Sequence, residues 1–369
     1  MVAQKKPEIF DPEAFAALET EFRSGEYYLT LAKPEDYKSV ETISINACRN
    51  EVSTPLTAAD IIWFNDINPD GKGFLVLART NNDDAIVAYF LFYPKLLLRR
   101  NRADAPPVRQ LVYVCVNLYV DPSFRRRQVF ANMTKFGCRI LTQANIQFLY
   151  TVPNQRSAPG FIKLGLSRLM TLPFLARPEK APLSWLSAFG STSGSLARIH
   201  QVDRFEPLII ERLASTGTTI SKVWGERSAA SLNWRYCQRP EIDYSIRLIE
   251  DDSGITGYIV TRSMEIMNKQ TLVVCDFLLE ASPKGSLGKA LELALLDEKD
   301  KIDLTVCTTT LDSKWTRSEF RRASFFRVPQ FMLPQPVVVI GGSANEKDWN
   351  TGCDSFSDWS LTPYDWDVF

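Results

Sequence analysis

The sequence predicts a mixed α/β fold in two domains, each a mostly antiparallel twisted sheet flanked by helices. Three observations carry that prediction. Residues 111–166 read as a strand, a basic turn, a helix, a second strand and a Pro-Asn loop, which is a βαβ unit. Residues 74–92 read as two strands joined by the turn formers Asn81, Asn82, Asp83 and Asp84, which is an antiparallel hairpin. The order of elements then recurs in the second half at an offset of roughly 155 to 170 residues, a duplication of a domain rather than a short-period repeat.

Taken in order, residues 1–25 carry a short helical pattern over 10–22 and read as a peripheral arm. Residues 27–32 form a first strand. Pro34, Glu35 and Asp36 open a helix that runs toward Cys48, with acidic side chains at the end that favours negative charge. Thr57 opens a second helix through Trp63. The hairpin follows, as strands 74–79 and 85–92. Residues 96–109 are basic and contain Pro106 and Pro107, so they read as an exposed loop between strands. Its charge either faces an acidic substrate or a phosphate, or is a solvated tip.

In the strand 111–120 the even positions Val112, Val114, Val116, Leu118 and Val120 are all aliphatic. The other face carries Tyr113, Cys115, Asn117 and Tyr119, so both faces are covered, as in a central strand. Arg125, Arg126 and Arg127 then lead into Val129, Phe130, Met133, Phe136, Gly137, Ile140 and Leu141, which follow the spacing of an amphipathic helix. Residues 146–152 form the next strand, and 166–175 are expected to supply the last two strands of the first domain. The Pro, Gly and Ser content of 181–200 marks a linker between a first domain at 26–180 and a second at 201–369. His200 falls in that linker.

In the second half, 242–249 and 257–261 answer the hairpin, 271–279 answers the central strand, 286–296 the helix and 304–307 the strand after it. Gly285 and Gly288 stand at the start of that helix, either as a phosphate cradle or as a plain loop.

Composition narrows the function. Lys plus Arg and Asp plus Glu are 43 each, a balance that argues against broad nucleic-acid binding. No apolar run approaches the roughly 20 residues that span a bilayer, and the N-terminus lacks the apolar core of a signal peptide, so a cytoplasmic protein is expected. The 7 cysteines form no C-x-x-C pair; Cys115, Cys275 and Cys307 lie in apolar strands and read as buried thiols, with no metal site expected. The single histidine leaves little room for a His-based metal site or a Ser-His-Asp triad.

The run Tyr119, Val120, Asp121, Pro122, Arg125, Arg127 and Phe130 resembles motif A of the GNAT acyl-CoA N-acyltransferases. The run Pro153, Asn154, Ser157, Phe161, Lys163, Leu164 and Gly165 resembles their motif B. Three positions depart from the pattern. Gln128 and Phe130 stand where the family's loop has small residues, and Phe161 stands where many members carry tyrosine.

The resemblance implies a tandem GNAT-like protein that uses an acyl-CoA, acetyl-CoA by expectation, and no metal. Backbone N–H groups of Arg126, Arg127, Gln128, Val129, Phe130 and Ala131 would face the pyrophosphate, at the positive end of the helix dipole. Arg125 and Arg127 would add charge-assisted contacts. Leu118 and Val120 would offer backbone groups to the pantetheine arm. Asn117 would either aim at the thioester or sit in a bulge. Asn154, with Ser157 and Phe161, would either border the cofactor arm or form a turn. Tyr119 or Tyr150 would protonate the leaving thiolate in place of the missing tyrosine.

The expected partner is a small-molecule primary amine, with an amino sugar for a surface polysaccharide as the analogy. No oligomeric state is specified by these residues. Two other readings stay open: a catalytically degenerate tandem protein kept for binding or assembly, and a Fem-type aminoacyltransferase that uses no coenzyme A.

Overall fold

In the computed structural model the described residues are 22–49, 54–100, 106–180, 198–216, 223–279, 286–295, 301–310, 314–333, 335–345 and 359–366. The expected helix over 10–22, apart from Phe22, and the linker core 181–197 lie outside them, as does Gly285.

The first half begins with β1 (Phe22–Arg23) and β2 (Tyr27–Leu31), which pair antiparallel. A short 3-10 turn, Pro34–Asp36, leads into α1 (Tyr37–Cys48). Helix α2 (Ala58–Asn65) starts where Thr57 and Asp60 cap each other. Thr57 Oγ1 accepts from the Asp60 N–H at 3.0 Å, and the Thr57 N–H donates to Asp60 Oδ2 at 3.0 Å. Strands β3 (Phe74–Thr80), β4 (Ile86–Arg99) and β5 (Val108–Val120) follow, then α3 (Val129–Gln143), β6 (Phe148–Thr151), α4 (Ala158–Lys163), β7 (Ser167–Leu172) and β8 (Phe174–Pro178). The second half runs β9 (Arg198–Val202), α5 (Pro207–Thr216), β10 (Val223–Gly225), α6 (Ala229–Cys237), β11 (Ser245–Asp251), β12 (Gly254–Ile266), β13 (Lys269–Leu279), α7 (Ser286–Leu295), β14 (Leu304–Thr308), α8 (Lys314–Arg322), β15 (Phe326–Arg327), β16 (Val337–Ser343) and β17 (Trp359–Ser360).

The chain packs as two compact units, one of residues 1–96, 111–169 and 339–354, the other of 97–110, 170–338 and 355–369. In the first, the sheet order is β1-β2-β3-β4-β5-β6-β16-β7. In the second it is β15-β8-β14-β13-β12-β11-β9. Hairpins make most neighbours antiparallel, while β5–β6 and β13–β14, each joined through a helix, are parallel. The two sheets therefore share one plan: β3, β4, β5 and β6 correspond to β11, β12, β13 and β14.

Three sequence expectations change. Only β7 of the 166–175 run stays in the first sheet. β8 pairs antiparallel with β14, Cys307 opposite Leu175, and lies in the second. Its place beside β6 is taken by β16, with Ile340 opposite Thr151. The second sheet thus contains one strand, β8, from the first half of the sequence, and the first sheet takes β16 and, through the pairing of β10 with β4 and β17, two more from the second. Burial explains β8: Leu175 and Ala176 point into two separate cores on opposite faces of the second sheet. Beside them Arg177 Nε donates to Glu179 Oε1 at 2.7 Å, and the Thr305 hydroxyl to the same oxygen at 2.6 Å, which closes the polar atoms of the seam.

His200 is not a linker residue but lies in edge strand β9, opposite Leu248 and bonded to Glu250. The 96–109 loop is shorter than expected, because β4 runs on to Arg99 and pairs with β10. Two of its cations have structural partners: the Arg100 guanidinium lies 5.2 Å over the Trp224 ring, and Arg109 pairs with Glu226.

Candidate functional site

Strand β5 is buried on both faces from Val112 to Cys115 and only half-buried from Val116 to Val120. The change coincides with the end of its pairing with β6. Tyr113 and Val114 pair with Leu149 and Tyr150, the Thr151 hydroxyl donates to the Cys115 carbonyl at 2.8 Å, and β6 ends there. Beyond that point the two parallel strands part. Asn117 sits in the parted stretch at φ 51, a left-handed backbone that breaks the pleat, so the bulge reading of Asn117 has a geometric basis.

The chain leaves β5 through Asp121, whose carboxylate accepts from the Ser123 N–H at 2.8 Å and from its hydroxyl at 2.5 Å. Those bonds hold the Asp121 carboxyl below its ordinary range. In the turn that follows, Arg126 has φ 66 and Gln128 φ 61, while Arg125 has an ordinary φ of −62. Gln128 is the N-cap of α3, so glutamine here occupies the conformation that glycine adopts without strain. Left-handed residues set between ordinary ones turn successive N–H groups toward one side, an anion-binding concavity. The first amides of α3, on Val129, Phe130 and Ala131, have no acceptor within the helix, whose first internal bond is Asn132 N–H to Gln128 O at 2.9 Å. The dipole of this 15-residue helix adds to the same end.

Side chains the sequence did not single out hold the turn. The Tyr27 hydroxyl of β2 donates to the Arg127 carbonyl at 3.3 Å and accepts from Asn132 Nδ2 at 2.7 Å. Burial pushes the Tyr27 phenol up, so it stays a neutral donor at ordinary pH. Asn132 lies one helical turn after Gln128, the only local sign that could have flagged it. Arg125 Nε donates to the Val120 carbonyl at 3.3 Å. Arg127 pairs with Glu26 and lies 5.1 Å over the Phe124 ring. Arg125, Arg126, Arg127 and Gln128 are all exposed.

The remaining expected site residues separate into groups. Val129 is buried, so only its backbone can serve a ligand. Phe130 meets Phe161 edge-on at 4.9 Å, and both lie near Phe90. Gly160 leaves room for that contact, since a Cβ there would sit 2.5 Å from Phe130 Cε1. Phe161 is 2% exposed and belongs to this aromatic cluster. Asn154 Oδ1 accepts from the Arg156 and Ser157 N–H groups, each at 3.0 Å, and from the Ser157 hydroxyl at 3.1 Å, which is the turn-forming arrangement. Tyr119 is half-buried and stacks on Tyr89 at 5.5 Å; burial and then Asp121 raise its phenol. Tyr150 is fully buried in β6, with Val114 and Gly341 opposite its backbone. The structure therefore gathers Leu118, Tyr119, Val120 and residues 125–131 at one end of β5. It sets Tyr150 and Phe161 in the core.

Among the described residues no group of three or more His, Cys, Asp and Glu could hold a metal ion, and no helix is long and apolar enough to cross a membrane.

No protein-family model and no curated protein matches the sequence. Solved structures do. A conserved protein from Enterococcus faecalis V583, described as a probable N-acyltransferase, superposes with a TM-score of 0.57 at 11% identity, over 87% of this chain and 73% of that one. A GCN5-related N-acetyltransferase from Anabaena variabilis ATCC 29413 gives 0.59 at 10%, over 86% and 73%. Saccharomyces cerevisiae N-myristoyltransferase, solved with bound myristoyl-CoA, gives 0.53 at 13%, over 91% and 82%. With strands that part beside a basic turn and a helix N-terminus, and with neighbours matched over most of their length, the chain has the GNAT fold of N-acyltransferases in a two-sheet form.

Proposed function

We propose that the protein is an acyl-CoA-dependent N-acyltransferase, with acetyl-CoA as donor and a small primary amine as acceptor, and that the donor binds at the end of β5 in the first unit. The observation that carries this is the turn 125–129. Two non-glycine residues are held at positive φ there, at the start of a long helix and beside parting strands. Left-handed backbone at non-glycine residues costs free energy and persists where the surroundings impose it, and it clusters at ligand sites.

In this reading the N–H groups of residues 126–131 receive the pyrophosphate, and Arg125 and Arg126 neutralise it. The backbone of Leu118 and Val120, at the half-buried end of β5, runs beside the pantetheine arm. The bulge at Asn117 turns a backbone or side-chain group toward the thioester carbonyl, where charge develops. The amine nitrogen attacks that carbon, the C–S bond breaks, and the proton shed by the amine balances the one taken up by the thiolate. Tyr119, half-buried and held neutral, is the proton donor that the geometry favours over fully buried Tyr150. An amino sugar remains the acceptor suggested by analogy, and a cytoplasmic location the one suggested by the sequence.

Calorimetric titration of acetyl-CoA tests the reading, with the Arg125→Ala/Arg126→Ala double variant as control. Micromolar binding that weakens at least tenfold in the variant is expected. Absence of heat at millimolar acetyl-CoA sinks it, and the binding-or-assembly reading, which buried Phe161 and non-glycine Gln128 favour, takes its place.

A further inference from the structure

The second unit repeats the plan of the first, and its parallel pair β13–β14 corresponds to β5–β6. Val274 and Cys307 are the last paired residues, as Val114 and Tyr150 are in the first unit. From that point the second unit differs. In the first, Thr151 ties itself to the Cys115 carbonyl. In the second, the matching Thr308 hydroxyl is buried without a partner, and the Cys275 carbonyl accepts instead from the Tyr236 hydroxyl at 3.4 Å.

The space beyond is filled by the chain's own tail. The Thr310 N–H donates to the Leu361 carbonyl at 3.0 Å, the Leu361 N–H to Thr310 Oγ1 at 2.9 Å, and the Thr309 hydroxyl to the Leu361 carbonyl at 2.8 Å. On the β13 side, the Thr362 hydroxyl donates to Asp276 Oδ1 at 2.7 Å. Arg227 joins both through Nη2, 2.9 Å from Asp276 Oδ1 and 2.9 Å from Thr362 Oγ1, and the Tyr258 hydroxyl donates to Asp276 Oδ2 at 2.7 Å. Residues 361–362 therefore bridge the ends of β13 and β14 with backbone and side-chain bonds. Their seat is shaped for them: a Cβ on Gly225 would lie 1.9 Å from Asp365 Oδ1. Leu361, Tyr364 and Trp366 are each no more than 1% exposed.

We infer that residues 359–366 are a built-in occupant of the β13–β14 opening, which closes the second unit to any extended ligand and leaves the chain one open strand pair, not two. A tail segment lies where, in the first unit, the pairing of β5 and β6 ends and the proposed donor site begins. The pair of buried Asp276 with Arg227 holds it in place rather than serving chemistry.

Hydrogen exchange read by mass spectrometry on the full chain tests this, together with the stoichiometry of acetyl-CoA. Peptides covering 308–310 and 359–366 should exchange as slowly as those of β13, with or without saturating acetyl-CoA. Gly225→Ala, which pushes Asp365 out, and Thr362→Ala, which removes the bond to Asp276, should each speed exchange at 308–310 by about tenfold or more, the loss of one hydrogen bond to a charged group. Fast exchange of the tail in the wild-type chain, or acetyl-CoA that changes exchange at 359–366, overturns the inference. The stoichiometry arm rests on the proposed donor site: one acetyl-CoA per chain is expected, and two overturn the closure. A chain that binds no acetyl-CoA but keeps a slow tail removes the proposed function and leaves the closure standing.

Discussion

The backbone at Gln128 makes a quantitative prediction that needs no ligand. At φ 61 a residue with a Cβ carries about 1–2 kcal/mol of steric cost that glycine escapes. Glycine in turn loses roughly 0.5–1 kcal/mol relative to alanine through the freedom it gains when unfolded. Gln128→Gly should therefore be more stable than Gln128→Ala by about 0.5–1 kcal/mol. At Arg125, φ −62, there is no strain to relieve, and Arg125→Gly should be less stable than Arg125→Ala by about 0.5–1 kcal/mol. The two glycine-for-alanine comparisons thus differ in sign, and their difference of about 1–2 kcal/mol is the strain itself. Urea unfolding followed by far-ultraviolet circular dichroism reads the transition, with unchanged slope required for each variant. Equal destabilisation by glycine at both positions would refute the claim that the turn holds Gln128 in a left-handed conformation. If acetyl-CoA affinity falls in Gln128→Gly while stability rises, the strain is retained for binding; if both rise, it is merely tolerated.

Three further outcomes follow from the packing. Asp276→Ala removes the nearer carboxylate of Arg227 and leaves Asp365 Oδ2 at 3.6 Å, so it should lower stability by about 1.5–3 kcal/mol in denaturant titration, with part of the loss recovered in Asp276→Ala/Arg227→Met. Gly160→Ala drives a methyl into the Phe130 ring and should cost about 1–3 kcal/mol, with Phe130→Leu in the same chain restoring most of it. Burial pushes the Tyr89 phenol up to about 12, so the folded state resists its ionisation. Stability is then fully present below the unfolded value near 10 and falls as pH rises toward 12. Melting temperatures between pH 9 and 11 should drop less steeply in Tyr89→Phe than in the wild-type chain.

The central βαβ unit could be read from side-chain pattern because its signals are local. The alternation of Val112 to Val120, the helical spacing from Val129 to Leu141 and the Thr57–Asp60 cap each act within a few residues. The hairpins, with their Asn and Asp turns, were visible for the same reason. What the pattern did not contain was partner choice. Leu175 and Ala176 are strand-like on any reading, yet nothing near them says that β14 rather than β6 is their neighbour. His200 lies in a strand only because β11 offers it an edge. At the site, the arginines and Gln128 stood out by composition, but Tyr27, 100 residues before Arg127, joined them only through the fold. Phe161 stood at a motif position, and its burial against Phe130 depends on Gly160, whose significance is steric and invisible until the two rings are placed.

The exchanged strands bear on how the chain is made. The edge of β6 waits for β16, whose last residue, Ser343, emerges 171 residues after Leu172 closes β7 (343 − 172). At ordinary synthesis rates that interval is on the order of 10 to 30 s. Throughout it, β6 and β7 have no strand between them, and an unpaired edge of apolar sequence is a template for the wrong partner. The second sheet has the opposite history: β8 is already waiting when β14 appears. Vectorial synthesis thus favours completing the second sheet before the first, against the order in which the halves leave the ribosome. A gene cut between the halves would yield a first fragment lacking β10, β16 and β17 and a second lacking β8, and only their co-expression would restore both sheets.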